Sequence, residues 1–545
     1  MRALLVGLAV ALSSASAMAA SENELRAALE QRFEGDRSGA CIAAAVIENG
    51  TEARAYFCAG AKSEGSIDDR TAFEIGSITK TMTAALLAEI IGRGEIALDD
   101  PLAKLLPPGT NVPSFNGTPV TVGNIVTHTS GLPSFPWRTS DLSNPYARLT
   151  EVDLLDTLAK TQLKHAPGSQ REYSNFAVMV LSYALAKHSG SDFETLLRER
   201  LLSPLGMEGA YIVTRPPIVR LAQGHFSNGK PTGPWDVQVN LAGAGGVRAT
   251  LPDMVRYLEG QLGTRDSPIT PILAQTQKLV SSIDGQATGM AWEIWSTENG
   301  RTLVMHPGGT GGFSAFFAFD RAAKHGVVLL SDTALTEVGG LRRLGMHLLD
   351  GSLPAGTPRT VATADVKLID ALVGRYRLPF GLGVELRRKG NKLTIQADGQ
   401  PEFEMEYDSA GEFFPLEFDA VLRPRRKVDG TYTFTWFQLG GIHPAERLGA
   451  AAPVAVRPAL TEAQLKEFEG HYSFSQTLGL RVYASDLKLM VQGTGQSTQE
   501  AAPYSTDVFV TEPIGAEIAF ERDAGGKVIA LMLSQRGQAL RGERH

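Results

Sequence analysis

Three short clusters in the sequence carry residue types suited to acyl chemistry. The first is Ser77-Ile78-Thr79-Lys80, which follows Glu74-Ile75-Gly76 and leads into TMTAALLAEIIGRG, a helical pattern closed by Gly94. A helix opening near Ser77 puts Ser77 and Lys80 at i and i+3, on one face of its first turn. A serine hydroxyl needs a base within hydrogen-bond reach to become a nucleophile, and an amine kept neutral by burial or a nearby positive charge can be that base. N–H groups at the helix start supply positive potential where an oxyanion forms. Taken alone, the same four residues fit a helix N-cap serine beside a solvated lysine.

The second cluster is Tyr173-Ser174-Asn175, in APGSQREYSNFAVMVLSYALAKHSG. Phe176 to His188 reads as a helix ended by Gly190, so Tyr173 falls on the loop before it. From there a phenol can relay protons between nucleophile and leaving group, and the amide of Asn175 can hold substrate or lysine. The third cluster is His306-Pro307-Gly308-Gly309, in MHPGGTGGFSAFFAFD, which reads as an edge strand followed by a hairpin into HGVVLLSD. Glycine there lets a substrate backbone approach closely, and the N–H of Gly309 can be a second oxyanion donor beside that of Ser77. His306 is expected to line the cleft.

These clusters must be brought together by elements far apart in sequence. The stretch from about residue 21 to residue 353 opens with strand-like runs, becomes helix-rich, and returns to strands near Arg301 to Ser331. A sheet built from both ends, with helices inserted between, explains that order. The opening runs, CIAAAVIE and TEARAYFC, flank Asn49-Gly50, a strong hairpin signal. A two-residue turn makes partner numbers sum to 99, and 41 + 58 = 99, so Cys41 and Cys58 face each other. Alternation makes theirs a non-hydrogen-bonded pair, with Cα atoms about 4.5 Å apart, near the lower end of disulfide geometry. A disulfide between these two cysteines is expected, with a structural role.

Gly351 to Thr363 reads as a linker, and Ala450 to Pro458 as a second loose stretch. The segments after them repeat. Gly374, Tyr376, Leu382, Gly383, Lys392, Leu393, Gln396, Gly399 and Gln400 recur at a constant offset of 96 as Gly470, Tyr472, Leu478, Gly479, Lys488, Leu489, Gln492, Gly495 and Gln496. Phe413 with Phe509 and Gly430 with Gly526 keep the offset. Both copies alternate like antiparallel strands and are expected to form small β-barrels.

At the start of the chain, Arg2, the apolar run Ala3 to Leu12, and Ala17-Met18-Ala19 read as a cleavable leader. The expected organisation is therefore a leader over 1–19, a catalytic domain over 20–353, and β domains over 364–449 and 459–545. Net charge is −7 over 545 residues, which disfavours nucleic acid or an anionic membrane surface as the main partner. No later run is apolar enough to hold the mature protein in a membrane. No His or Cys spacing suggests a metal, and no phosphate-binding loop follows the glycines at 308 to 312, so no cofactor is expected.

In order and context, the three clusters resemble the class C β-lactamase-like superfamily of penicillin-binding peptidases, D-aminopeptidases and esterases. The matches are S-x-x-K opening a helix, then Y-x-N, then a strand carrying H-x-G. LDDPLAKLLPP, VTVGNIVTHTSGLPSF, LLSPLGMEG and GAGGVRATLPDM resemble connecting segments of that superfamily, so the likeness spans roughly Gly39 to Asp332. LPPGTNVPSFNGTP through THTSGLP is particularly similar to periplasmic DD-carboxypeptidase/endopeptidases, whereas the doubled C-terminal β domain is similar to D-aminopeptidases. His128, within THTSGL, belongs to the scaffold of that resemblance.

The resemblance implies an α+β fold: a β-lactamase/transpeptidase-like domain, with an antiparallel sheet flanked by helices and a helical subdomain. Ser77 would form an acyl-enzyme, with Lys80 and Tyr173 moving protons, and Asn175, His306, Gly308 and Gly309 would hold substrate. Two positions depart from β-lactamases, whose K-T-G strand has lysine where His306 stands and threonine where Pro307 stands, and Pro307 lacks both that hydroxyl and an N–H donor. A mostly neutral histidine grips a carboxylate less firmly, and its titration is expected in the acid limb of the rate profile. The expected function is a periplasmic or secreted hydrolase of small peptides or amides containing D-residues. A β-lactamase or carboxylesterase is the alternative within the same chemistry. A penicillin-binding sensor or a non-catalytic binding protein is the alternative outside it.

Overall fold

The computed structural model describes residues 21–545 apart from 61–65, 138–143, 284, 298–299, 380, 439–440, 451–459, 476–477, 495, 497, 504, 512–515 and 536–537. The leader, most of the second loose stretch and Gly495 of the repeat lie outside the described residues. The chain divides into two units, Met1–Thr360 and Val361–His545.

The first unit begins with a helix that precedes the expected hairpin, α1 (Glu22–Phe33), opened by a capping box between Ser21 and Glu24. The hairpin follows as β1 (Cys41–Glu48) and β2 (Thr51–Cys58), in the register Cys41↔Cys58 through Glu48↔Thr51. The two Sγ atoms are bonded and the Cα atoms lie 4.0 Å apart. Then come α2 (Thr79–Gly92), α3 (Asn175–Ser189) and α4 (Leu251–Leu262). Six strands return: β3 (Ser281–Ile283), β4 (Gln286–Thr288), β5 (Glu293–Ser296), β6 (Thr302–Gly309), β7 (Ser314–Asp320) and β8 (His325–Ser331). The sheet runs β3-β4-β5-β6-β7-β8-β1-β2, with every pairing antiparallel. Both ends of the segment thus meet at β8 and β1.

The middle strands are apolar on both faces rather than alternating, because helices cover both. On one side Tyr257 of α4 packs on Phe317, ring centroids 5.3 Å apart. On the other, Gly345 of α5 (Arg342–Leu349) lies so close to Phe316 that a Cβ there would fall 2.1 Å from its ring. In α2 and α3 the long central stretches are buried all round, as expected of helices at the centre of a helical subdomain.

Part of the predicted linker is packed. The backbone of Arg359 bonds to Arg37 N–H and to the carboxylate of Asp36, while Arg32 holds both Asp36 and the carbonyl of Thr357. Loop-like composition here reflects irregular backbone tied to the chain's beginning. From Val361, which pairs with Asp408, the chain belongs to the second unit.

In the second unit the two copies build the same element at the same offset. Strands Gly374–Arg377, Gly383–Lys389 and Lys392–Ala397 recur as Gly470–Ser473, Gly479–Ser485 and Lys488–Gly493. The later copy closes into an eight-stranded barrel. In the earlier copy, residues 441–449 close the circuit by pairing first with Tyr432–Gln438 and then with Gly374–Arg377. Tyr376 donates to the carbonyl of Leu372 as Tyr472 does to that of Phe468. Arg447 ties the carbonyls of Val373 and Tyr432, and Arg544 ties those of Glu469 and Val528. Each carbonyl pair keeps the offset while the arginine slips by one residue, so the contact is retained through a local shift.

Candidate active site

The strand Thr71–Glu74 carries the chain to a tight turn at Gly76–Ile78, so Ser77 sits one turn before α2 rather than inside it. Gly76 adopts φ +50°, and a Cβ there would fall 2.5 Å from the nitrogen of Gly309. A Cβ at Gly308 would fall 2.1 Å from the carbonyl oxygen of Ile75. Two backbones can touch only where both lack side chains. This contact is what places the Gly309 N–H beside Ser77.

The end of β6 is also an open edge. Pairing of β5 with β6 stops at Glu293↔Met305, whereas β6 stays paired with β7 through Gly309↔Ser314. Thr310 N–H bonds to Phe313 O, so alternation turns residues 307 and 309 away from β7. Pro307 therefore sacrifices no ladder bond, and the Gly309 N–H faces the open edge.

Nζ of Lys80 lies 2.9 Å from Oγ of Ser77 and also donates to the carbonyl of Ala244. The side chain is buried, and burial lowers its pKa to about 7. No carboxylate pairs with it among the described residues. The ring of Tyr173 stands with its centroid 4.9 Å from Lys80 Nζ, and its phenol lies near enough to Ser77 to feel that hydroxyl. Burial pushes the phenol's pKa up and so keeps it protonated. His128, at φ +58°, packs against that ring at a tilt of 37°, with centroids 4.3 Å apart. Its Nδ1 accepts the N–H of Ser174, while Nε2 is buried without a hydrogen-bond partner among the described residues.

The N-cap of α3 is Ser174, so Asn175 is its first helical residue. The Asn175 amide donates to the hydroxyl of Tyr146 at 3.1 Å and makes no bond to Lys80. His306 is buried, with Nδ1 donating to the carbonyl of Pro307 at 2.6 Å. Burial, with Lys80 close by, lowers its pKa to about 3. Its titration therefore falls far below the neutral range, which corrects the expectation that it shapes the acid limb. All the site residues singled out in the sequence except the cysteine pair fall around Ser77; the cysteines bridge β1 and β2 at the sheet edge.

Other residues here had no separate signal in the sequence. Arg248 is buried against Glu74 (3.0 Å) and Asp236 (2.8 Å). Glu74 also accepts the N–H of Trp235, and Arg248 reaches its carbonyl, so the ion pair grips that residue's backbone from both sides. The indole of Trp235 covers Gly311, where a Cβ would lie 2.3 Å from the indole nitrogen, and meets Tyr146 edge-on at 5.3 Å. A buried pair of this kind is visible only once the strands Thr71–Glu74 and Arg248–Thr250 are seen to pair.

The profile of the family described as Beta-lactamase matches residues 26–349, more than half the chain. The chain belongs to the beta-lactamase family. It is 32% identical over 269 residues to D-alanyl-D-alanine-carboxypeptidase/endopeptidase AmpH of Escherichia coli (strain K12). That match covers 45% of this chain and 66% of the relative, just under two thirds of the relative's length. It is 27% identical over 331 residues to a beta-lactamase of Pseudomonas fluorescens, covering 53% of this chain and 88% of the relative. The fold matches the crystal structure of beta-lactamase/D-alanine carboxypeptidase from Yersinia pestis with a TM-score of 0.50 and 24% identity, covering 61% of this chain and 97% of that one.

Proposed function

We propose that the protein is an exported peptidase that forms an acyl-enzyme at Ser77 and cleaves amide bonds in small peptides or amides containing D-residues. The observation that carries this reading is the Lys80 amine, buried without a carboxylate and 2.9 Å from Ser77 Oγ. Near neutral pH a large share of it is unprotonated and can take the hydroxyl proton as Oγ attacks the carbonyl. The N–H groups of Ser77 and Gly309 face the resulting oxyanion. Tyr173, beside Ser77 and held protonated by burial, passes a proton to the leaving amine. Water then attacks the ester carbonyl, and the same groups return the proton to Ser77.

Resemblance to a D-alanyl-D-alanine-carboxypeptidase/endopeptidase supports a D-residue substrate. Neutral His306 supplies no cation to a substrate carboxylate, which favours D-aminopeptidase or ester chemistry as the second reading. Export is supported by the leader-like start and by the disulfide, which persists in oxidising compartments. Among the described residues no helix is long and apolar enough to cross a membrane.

The test is the intact mass of the protein after incubation with benzylpenicillin, wild type against Ser77→Ala. A lasting adduct in the wild type alone supports the peptidase reading. No adduct with the drug consumed means a β-lactamase; no adduct with the drug intact moves the reading to aminopeptidase or esterase. An adduct that persists in Ser77→Ala removes Ser77 as the nucleophile.

A further inference from the structure

His128 takes no part in the proposed proton transfers, yet it holds the segment around Tyr173 at three points. It lies in the loop after the short helix Val122–Val126. Its carbonyl accepts the N–H of Glu172 at 2.8 Å, and its Nδ1 accepts the N–H of Ser174 at 3.3 Å. These residues stand immediately before and after Tyr173. Between the two anchors the imidazole lies against the Tyr173 ring, with centroids 4.3 Å apart. The same loop extends the grip: the carbonyl of Pro133 accepts from Ser174 Oγ, and that of Ser134 accepts from the N–H of Phe176.

This arrangement carries two penalties. A backbone N–H can only donate, so Nδ1 presents its lone pair to Ser174 and the proton of the neutral ring sits on Nε2. That N–H is buried and finds no acceptor among the described residues. Burial, with Lys80 nearby, holds the imidazole well below the usual histidine range, so the ring stays neutral. His128 also adopts φ +58°, a left-handed backbone rare outside glycine. A residue that only filled space would need neither the orphaned N–H nor that backbone. Phenylalanine would supply the ring without the acceptor, and asparagine the acceptor without the ring. Histidine supplies both from one position.

We propose that His128 is the positioning residue for Tyr173, fixing the phenol where it protonates the leaving nitrogen of an amide substrate. This assignment rests on the donor role proposed for Tyr173. The proton passes from the phenol to the nitrogen as the C–N bond breaks, and Lys80 refills the phenol with the proton it took from Ser77. Such a transfer needs hydrogen-bond reach and tolerates little displacement of the donor. A leaving group that departs as a stable anion does not need the proton. Loss of His128 therefore discriminates between leaving groups, which a general loosening of the site would not do.

The test compares kcat/KM of the full chain, which reads the steps up to the acyl-enzyme, for N-acetyl-D-alanine 4-nitroanilide and the 4-nitrophenyl ester of the same acid. His128→Ala should lower the anilide value by about 10²-fold and the ester value far less. His128→Asn keeps an acceptor for Ser174 and tolerates left-handed backbone, so it should recover most of the anilide loss. Adding His128→Ala to Tyr173→Phe should cost nothing further on the anilide. Equal losses on the two substrates, or a further loss in the double variant, would overturn the inference. Full anilide activity in Tyr173→Phe would remove the donor role of Tyr173, and the inference with it. A crystal structure of His128→Ala needs no turnover: the Tyr173 ring should shift while Lys80 stays beside Ser77, and an unmoved ring would equally overturn the inference.

Discussion

Two buried cations bind the segment around Ser77, Arg248 at Glu74 and Lys80 at Ser77 itself, and their surroundings treat them in opposite ways. On Arg248 burial works against the charge, but Glu74 and Asp236 outweigh it and the net shift is upward. Among the described residues Lys80 bonds only a hydroxyl and a carbonyl, so burial acts unopposed and brings it to about 7. The same event, removal of a cation from water, yields a fixed structural charge where a carboxylate is supplied and a titrating base where none is. Perturbation of the second kind beside a nucleophile is the pattern expected of a catalytic site.

The largest effect that would test this contrast is loss of the lysine. Lys80→Met should lower turnover by about 10²–10⁴-fold, the range of a general base. The same change should raise stability at pH 6. An amine at about 7 when folded and near its ordinary value when unfolded carries its full penalty below pH 7 and sheds it as pH rises above that. The gain in unfolding temperature should therefore shrink towards pH 10, and a lower unfolding temperature at pH 6 would contradict an unpaired, burdened cation.

Arg248→Met should do the reverse. It leaves the carboxylate of Glu74 buried without its cation, which costs about 3–5 kcal/mol, measurable by denaturant unfolding. A neutral outcome would mean that Glu74 finds another partner and that the two cations differ less than their geometry indicates.

The smallest effect sharpens the comparison inside the cleft. Below pH 7 the wild-type kcat/KM should fall about tenfold per pH unit as Lys80 is protonated. His306→Asn should leave the midpoint of that limb in place, since His306 titrates at about 3. A limb that moves with His306→Asn would transfer the titration from lysine to histidine.

The residues around Ser77 were partly legible in the sequence, although their charge states were not. The i, i+3 spacing of Ser77 and Lys80 survives although Ser77 lies in the tight turn before α2, because that turn continues the helical path. Cys41 and Cys58 meet because an Asn-Gly turn leaves one register for two alternating strands. The leading helix α1 carries a capping box, but its buried stripe includes Arg32 and is weakly apolar in sequence, so the pattern announces the strands rather than the helix. The Tyr173-Ser174-Asn175 cluster marked both side chains together, but only the fold shows that the Asn175 amide is taken by Tyr146.

The sequence by itself determined the local devices: the nucleophile and amine on one turn, the hairpin and its cysteines, the duplicated barrel pattern and the glycines where two backbones meet. These depend on spacing and backbone freedom, which are properties of short segments. Only the tertiary structure decided the charge states. Whether Lys80 is a base, His306 is inert to titration, or Arg248 is a permanent cation depends on which groups distant segments bring within a few ångströms and how much water they remove. Electrostatic energy follows distance and dielectric, and neither can be read from position along the chain.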